Sequence, residues 1–196
     1  MNNLAIAYVT CDKYEHVWAE WYEAFLLHWW IDVPVYWCGE SRPPISIDFI
    51  NLFHPPVEAD RWTTKLRKQL EYIQQENIFI WLDDEIQQKN IDEEFRALYN
   101  WFVKHKADSL RIMSRASKAN YMVKDTIFGR PLYKLKERSP YLVSFSPNIY
   151  RKDFLLEVLS KDESPWSCEL NSQNRITNKN IYAYHINDWF INRVVQ

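Results

Sequence analysis

Three consecutive acids, Asp83, Asp84 and Glu85, end the apolar run from Asn77 to Ile86 (NIFIWLDDEI), and here the chain gathers groups able to do chemistry. The residues before them, Ile78 to Leu82, are branched or aromatic and of strand length, so the acids are expected at a strand's end. Side chains alternate along a strand, which puts Asp83 and Glu85 on one side and Asp84 on the other. Carboxylates converging at the carboxyl end of a central strand lie where open α/β sheets bind their ligands. Such a pair repels itself unless something positive sits between, and a hard divalent cation with oxygen ligands meets that need. The same acids also read as the start of a solvated loop. A further acid, Glu169, follows Ser164-Pro165-Trp166, a hydroxyl cap with Pro at the first helical position. The helix dipole alone favours a carboxylate there. Glu169 is therefore either a capping or solvated residue, or a base whose proton affinity suits removal of a proton from a hydroxyl nucleophile. Trp166, one turn earlier, offers a ring face to a sugar or fills the core.

The elements that must carry these groups follow from periodicity. Leu4 to Thr10 (LAIAYVT) is a short buried strand. Asp12 is expected to cap a helix with Glu15 three residues on, and Val17, Trp18, Trp21, Tyr22, Phe25, Leu26 and Trp29 form its core stripe. Val33 to Cys38 is a second strand, ended by Gly39 and a loop through Pro43 and Pro44, and Ile45 to Phe53 holds a third. Trp62 to Glu76 is a helix with Trp62, Leu66, Leu70 and Ile73 on one face and Arg61, Lys65, Arg67 and Lys68 on others. Asp92 is placed to cap a helix whose Phe95, Leu98, Tyr99, Phe102 and Val103 point inward, before a strand from Leu110 to Met113.

From Arg115 to Ser139 the sequence turns basic and irregular, as a long functional loop or flap with a hairpin inside it, or as a solvated excursion. Tyr141 to Tyr150 is strand-like but broken by Pro147, which assigns it to a sheet edge or to two short segments. Asp153 to Ser160 is a short helix, and Ile181 to Ile186 the last strand. Strand, helix and strand in this order open a parallel, doubly wound α/β sheet.

Composition narrows the classes. At 196 residues the chain makes one domain with a substantial core. Ten Trp, twelve Tyr and ten Phe against two Gly suit a thick aromatic core and a cleft with flat faces. A formal net charge of −2 removes the simple electrostatic case for nucleic acid. Cys11, Cys38 and Cys168 are odd in number and form no CxxC pair, which indicates reduced thiols in a cytoplasmic protein. The N-terminus lacks the pattern of a signal peptide, and no window reaches the length of a membrane span. Any work at a membrane is then peripheral, on its inner face.

The order strand-TCDKY-helix, a WxxxLxxxL helix entering a strand that ends LDD, then YRKDFL and ESPWxxEL, resembles a group of small bacterial glycosyltransferases of GT-A fold, several associated with surface polysaccharide synthesis. The resemblance spans nearly the whole chain. It implies a single-domain, Rossmann-like mixed and mostly parallel sheet flanked by helices, with residues 1–113 as the nucleotide-binding half and residues 114–196, including the basic loop 115–139, as the acceptor half. It places Thr10, Cys11 and Asp12 near the base and ribose of a nucleotide sugar. Asp83, Asp84 and Glu85 match the acidic motif that holds Mg or Mn against the donor's diphosphate, with Lys65 as a diphosphate contact. Glu169 matches the general base of an inverting transfer, and Trp166 the wall of the sugar site. His185 approaches the metal or diphosphate from the last strand, or is a structural histidine.

The motif here is DDE, which fits D-x-E and not D-x-D, and no GxGxxG or P-loop glycines are present. Phosphate binding therefore relies on the metal and basic side chains. The expected donor is a UDP-sugar, with GDP and dTDP open as carriers, and the acceptor a saccharide or lipid-linked saccharide hydroxyl. Competing readings are a metal-dependent phosphodiesterase or nuclease built on the same acids, and a non-catalytic carbohydrate-binding domain.

Overall fold

The computed structural model describes residues 1–43, 49–113, 121–137, 141–184 and 188–193. Among them run eleven strands: β1 (Leu4–Val9), β2 (Val35–Cys38), β3 (Ile50–Asn51), β4 (Asn77–Leu82), β5 (Glu85–Gln87), β6 (Ser109–Arg111), β7 (Tyr121–Ile127), β8 (Arg130–Leu135), β9 (Asn148–Arg151), β10 (Ile181–Tyr184) and β11 (Phe190–Asn192). Five α-helices accompany them: α1 (Glu15–His28), α2 (Trp62–Glu71), α3 (Asp92–Lys104), α4 (Lys152–Val158) and α5 (Pro165–Asn171).

Nine of the strands form one sheet in the order β3-β2-β1-β4-β9-β6-β10-β8-β7, and β5 and β11 form a separate antiparallel pair. The pairings give seven strands one direction and turn only β9 and β8 against it. This is the mixed, mostly parallel α/β sheet flanked by helices that the sequence implies.

The pleat sorts the core by size. On β1, Leu4, Ile6 and Tyr8 join Phe79 and Trp81 of β4 in a core with Trp18 and Trp21 of α1 and Phe95 and Phe102 of α3. On the other face Ala5, Ala7 and Val9 meet Leu66 and Leu70 of α2, Phe154 and Leu155 of α4 and Cys168 of α5. Alternation along β1 and β4 therefore fills one face with rings and lets helices approach the other closely. Tyr8 lies 3.8 Å, centroid to centroid, from Trp21, and Trp21 lies edge-on 5.3 Å from Trp81.

Several local expectations are corrected. Asp12 does not cap α1: it belongs to a 3-10 turn (Asp12–Tyr14), and its carboxylate accepts from the Ser41 backbone N–H (3.0 Å) and hydroxyl (2.6 Å). Asp92 sits in the first turn of α3, behind Ile91 at the cap. Leu26 and Val103 are exposed, each one position around the helix from the residue that packs inward, Phe25 and Phe102. The third strand is only Ile50–Asn51, and residues 44–48 of its expected span lie outside the described residues. The helix from Trp62 closes at Glu71.

The segment broken by Pro147 is not an edge. β9 lies inside the sheet, antiparallel to both β4 and β6, with Asn148 opposite Ile80 and Arg111. Pro147 stands just before the ladder, and its carbonyl accepts from Ile112 N at 3.0 Å, so the missing N–H costs no pairing.

The described part of the basic stretch is a hairpin, β7 and β8, whose register shifts between Val123 and Asp125 and which turns at Phe128 (φ 47) and Gly129 (φ 72), as two-residue hairpin turns with both central φ positive do. β7 closes the sheet as an edge strand with Met122 to Thr126 all exposed. An edge wet on both faces leaves no alternation in the sequence.

Candidate active site

Parallel neighbours bring their carboxyl ends to one edge of the sheet, and the acidic turn is built there. β1 and β4 run in register from Leu4 opposite Asn77 to Val9 opposite Leu82, so Thr10 and Asp83 leave the sheet side by side. Thr10 Oγ1 donates to Asp83 Oδ2 at 2.5 Å and accepts from Trp18 Nε1 at 2.6 Å. The Cys11 backbone N–H also donates to the Asp83 carboxylate. Asp83 is 6% exposed. Burial pushes its carboxyl up to about 7, with the Asp84 charge adding to the rise and the Thr10 and Cys11 donors pulling back. Asp83 in turn raises the half-buried Cys11 thiol, after burial itself.

Alternation does not continue through the acids, because β4 ends at Leu82 and a two-residue turn precedes β5. Asp83 reaches toward β1, whereas Asp84 Oδ2 and Glu85 Oε1 both accept from Asn192 Nδ2, at 3.0 and 3.2 Å. Glu85 is buried within the β5–β11 ladder, opposite Asn192. Asp83 and Asp84 act on each other through their charges. Each raises Tyr8 and Tyr14 after burial does, and Asp84 itself is raised by burial against the Asn192 bond. The buried Asp84 Oδ1 has no hydrogen-bond partner among the described residues.

These features fit a divalent cation. Among the described residues no group of three or more His, Cys, Asp or Glu side chains converges on one point. A carboxylate pair with an unsatisfied oxygen suits Mg or Mn, ions held by one or two carboxylates that complete their shell with water and substrate phosphates. His185 lies outside the described residues.

The loop after β2 forms the neighbouring wall. Gly39 follows Cys38 because an added Cβ would come 2.4 Å from Trp37 Nε1, whose indole donates instead to Ser41 O at 2.9 Å. Glu40 then accepts from the Asp12 N–H (3.1 Å) and from Lys65 Nζ (2.8 Å). Lys65 is 2% exposed, so the expected diphosphate contact is a buried ion-pair residue holding this loop to α2. Sequence reading placed it off the inward face because lysine periodicity carries no signal of burial. Gln69 ties the same loop down, donating to Gly39 O (3.2 Å) and Leu52 O (2.7 Å).

Glu169 reaches this edge from the other half of the chain. Ser164 caps α5, accepting from Ser167 N at 3.1 Å with Pro165 in the first turn, as its sequence demands. Glu169 Oε1 accepts from Phe145 N at 2.7 Å. Phe145 precedes β9, whose amino end lies beside the carboxyl ends of β4 and β6, so Glu169 and Asp83 share one edge of the sheet. Burial raises the Glu169 carboxyl, while the Phe145 N–H, the Ser144 hydroxyl and the Arg111 charge draw it back. A buried network braces that loop: Asn148 Nδ2 and the Tyr150 hydroxyl both donate to Ser144 O, at 3.1 and 2.5 Å. Trp166, one turn before Glu169, is 68% exposed, and Leu170 beside it is exposed as well.

The structure thus brings together Thr10, Cys11, Asp83 and Asp84, sets Asp12 beside Ser41, and adds Glu169 with Trp166 along the same edge. It withdraws Lys65 and turns Glu85 into a ladder. Glu40, Arg111, Ser144 and Asn192 are contributors that no motif or spacing marked.

No protein-family model matches the chain, and no curated protein matches it. Its fold is similar to S. aureus TarS 1-349, at a TM-score of 0.52 and 12% identity over 94% of this chain and 60% of that one. The same protein in complex with UDP aligns at 0.51 and 13% identity, over 95% of this chain and 61% of that one. UDP-glucose pyrophosphorylase complexed with UDP-glucose aligns at 0.52 and 10% identity, over 98% of this chain and 92% of that one. The chain spans about 60% of the length of those TarS chains. At these identities the likeness is one of fold alone, a Rossmann-like, mixed and mostly parallel α/β sheet flanked by helices.

Proposed function

We propose that the chain is a glycosyltransferase that moves a sugar from a nucleotide-sugar donor, with UDP as the first carrier to test, to a hydroxyl of a saccharide or lipid-linked saccharide. The observation that carries this reading is the Asp83–Asp84 pair at the carboxyl edge of β4, with Glu169 on the same edge. The similarity to folds whose structures hold UDP and UDP-glucose supports it.

In this reading residues 1–113 hold the nucleotide, with Thr10, Cys11 and Asp12 near base and ribose, and residues 114–196 supply the acceptor side. Asp83 and Asp84 hold Mg or Mn, which when bound neutralises charge on the departing diphosphate. The exposed Trp166 ring stacks on the sugar. The acceptor oxygen attacks the anomeric carbon from the face opposite the diphosphate, forming the new glycosidic bond as the carbon–oxygen bond to phosphate breaks. The nucleoside diphosphate leaves with that electron pair. The hydroxyl proton passes to Glu169, and the anomeric centre inverts. Burial equips Glu169 for this by raising its proton affinity, while the Phe145 N–H keeps one oxygen in place.

A second reading is nucleotidyl transfer, favoured by the near-complete overlap with the pyrophosphorylase chain. The two differ in product, since nucleotidyl transfer releases pyrophosphate and glycosyl transfer a nucleoside diphosphate. Thermal stability against a panel of nucleotides and nucleotide sugars, with and without Mn, tests the proposal first. An Mn-dependent rise with one nucleoside diphosphate, lost in Asp83→Asn, is the expected result. No rise with any nucleotide overturns it.

A further inference from the structure

The last described strand returns to the acidic turn. β11 pairs antiparallel with β5, Gln88 N donates to Trp189 O at 2.8 Å, and Arg193 N donates to Asp84 O at 2.7 Å. Trp189 and Phe190 are buried, and the Phe190 ring stands edge-on 5.3 Å from Trp81 of β4. Core packing therefore anchors this strand, and from it one side chain faces two of the three acids. Asn192 Nδ2 donates to Asp84 Oδ2 and to Glu85 Oε1. A side-chain amide brings two N–H donors and no charge, so it ties one oxygen of each carboxylate without neutralising either.

Resting on the cation assigned to Asp83 and Asp84, we propose that Asn192 is a positioning residue that sets how Asp84 is presented to the cation. Its amide turns Asp84 so that Oδ1, without a partner among the described residues, is the oxygen offered beside Asp83. The same amide ties Glu85 Oε1, and the backbone pairing of β5 with β11 fixes where Glu85 stands. The residue type matters. Aspartate here would place a third negative charge against the pair, lysine or arginine would take over the counter-charge the cation supplies, and alanine would leave Asp84 free to swing.

The test is titration of Mn(II) into the full chain with UDP, following free Mn(II) by its electron paramagnetic resonance signal. Asn192→Ala is expected to weaken Mn(II) binding about tenfold or more, the usual effect of removing a group that orients a ligand. Lys89→Ala, which breaks the exposed Lys89–Asp188 ion pair at the start of the same segment, is expected to change nothing. A purely structural role would add its loss in any background, whereas a positioning role acts through Asp84, so Asn192→Ala should lower Mn(II) affinity no further in Asp84→Asn. In the wild type, substoichiometric Mn(II) should broaden the Asn192 side-chain amide resonance while leaving that of the remote Asn3 sharp.

Equal Mn(II) affinity in wild type and Asn192→Ala overturns the proposal, as does a sharp Asn192 amide in a chain that binds Mn(II). If Asn192→Ala does not fold, Asn192→Ser, which keeps a donor but shortens its reach to Asp84, carries the same comparison. A wild type that binds UDP but takes up no Mn(II) removes the cation, and the proposal with it, while leaving the nucleotide-sugar reading standing.

Discussion

Thr10 Oγ1 stands 2.5 Å from Asp83 Oδ2 and joins the end of β1 to the end of β4 through a hydroxyl that also accepts the Trp18 indole N–H. One hydroxyl thereby satisfies a buried acid and a buried donor. Thr10→Val keeps the shape, orphans the Trp18 indole N–H and takes one donor from Asp83 while the Cys11 N–H remains, which should cost about 1–3 kcal/mol. For a chain of this length that lowers Tm by roughly 2–10 °C. The Thr10 bond lowers the Asp83 pKa, so its loss should hurt more at pH 8 than at pH 5. Denaturant unfolding at the two pH values measures the difference.

Asp83 itself should make stability fall as pH rises. Its folded pKa, about 7, lies above the ordinary aspartate value of 3.8 that the unfolded chain has, so the protonated acid is favoured by folding. That contribution is complete below the unfolded value and is lost as pH climbs through about 7. Asp83→Asn should therefore melt higher than wild type at pH 8, with the gap closing toward pH 4, and should lose Mn-dependent nucleotide stabilisation. A gap that does not change with pH contradicts the burial argument.

Lys65 and Glu40 separate a structural cation from a substrate contact. Lys65→Met leaves Glu40 without its buried partner and should destabilise by about 3–5 kcal/mol. The double variant Lys65→Met with Glu40→Gln should recover most of that loss, because no unpaired buried charge remains. A Lys65→Met protein that melts like wild type but no longer responds to nucleotide would instead restore Lys65 to the diphosphate.

Glu169→Gln and Trp166→Ala should both leave the fold alone. The glutamine oxygen still accepts the Phe145 N–H, and Trp166 is exposed, so each should unfold within about 0.5 kcal/mol of wild type. Donor-induced stabilisation should persist in Glu169→Gln while nucleoside diphosphate release falls about 10²–10⁴-fold. In the wild type, release should rise with pH through a midpoint above the ordinary glutamate range, since burial raises Glu169. Glu169→Gln should flatten that limb.

The buried strands β1 and β4 and the Ser164-Pro165 start of α5 are legible from the sequence, because each depends on neighbours a few positions away. For the same reason Asp83 was placed correctly at a strand end. What escaped depends on distant partners. The buried state of Lys65 requires Glu40, and the interior place of β9 requires two strands that flank it only in the folded sheet. The sequence by itself determined which strand ends in acids and which helix carries Glu169. Only the tertiary structure decided that Thr10 meets Asp83, that Asn192 meets Asp84 and that Glu169 reaches the same edge. Hydrogen bonds spanning 73, 108 and 24 positions in the chain make those meetings, and no local pattern encodes such separations.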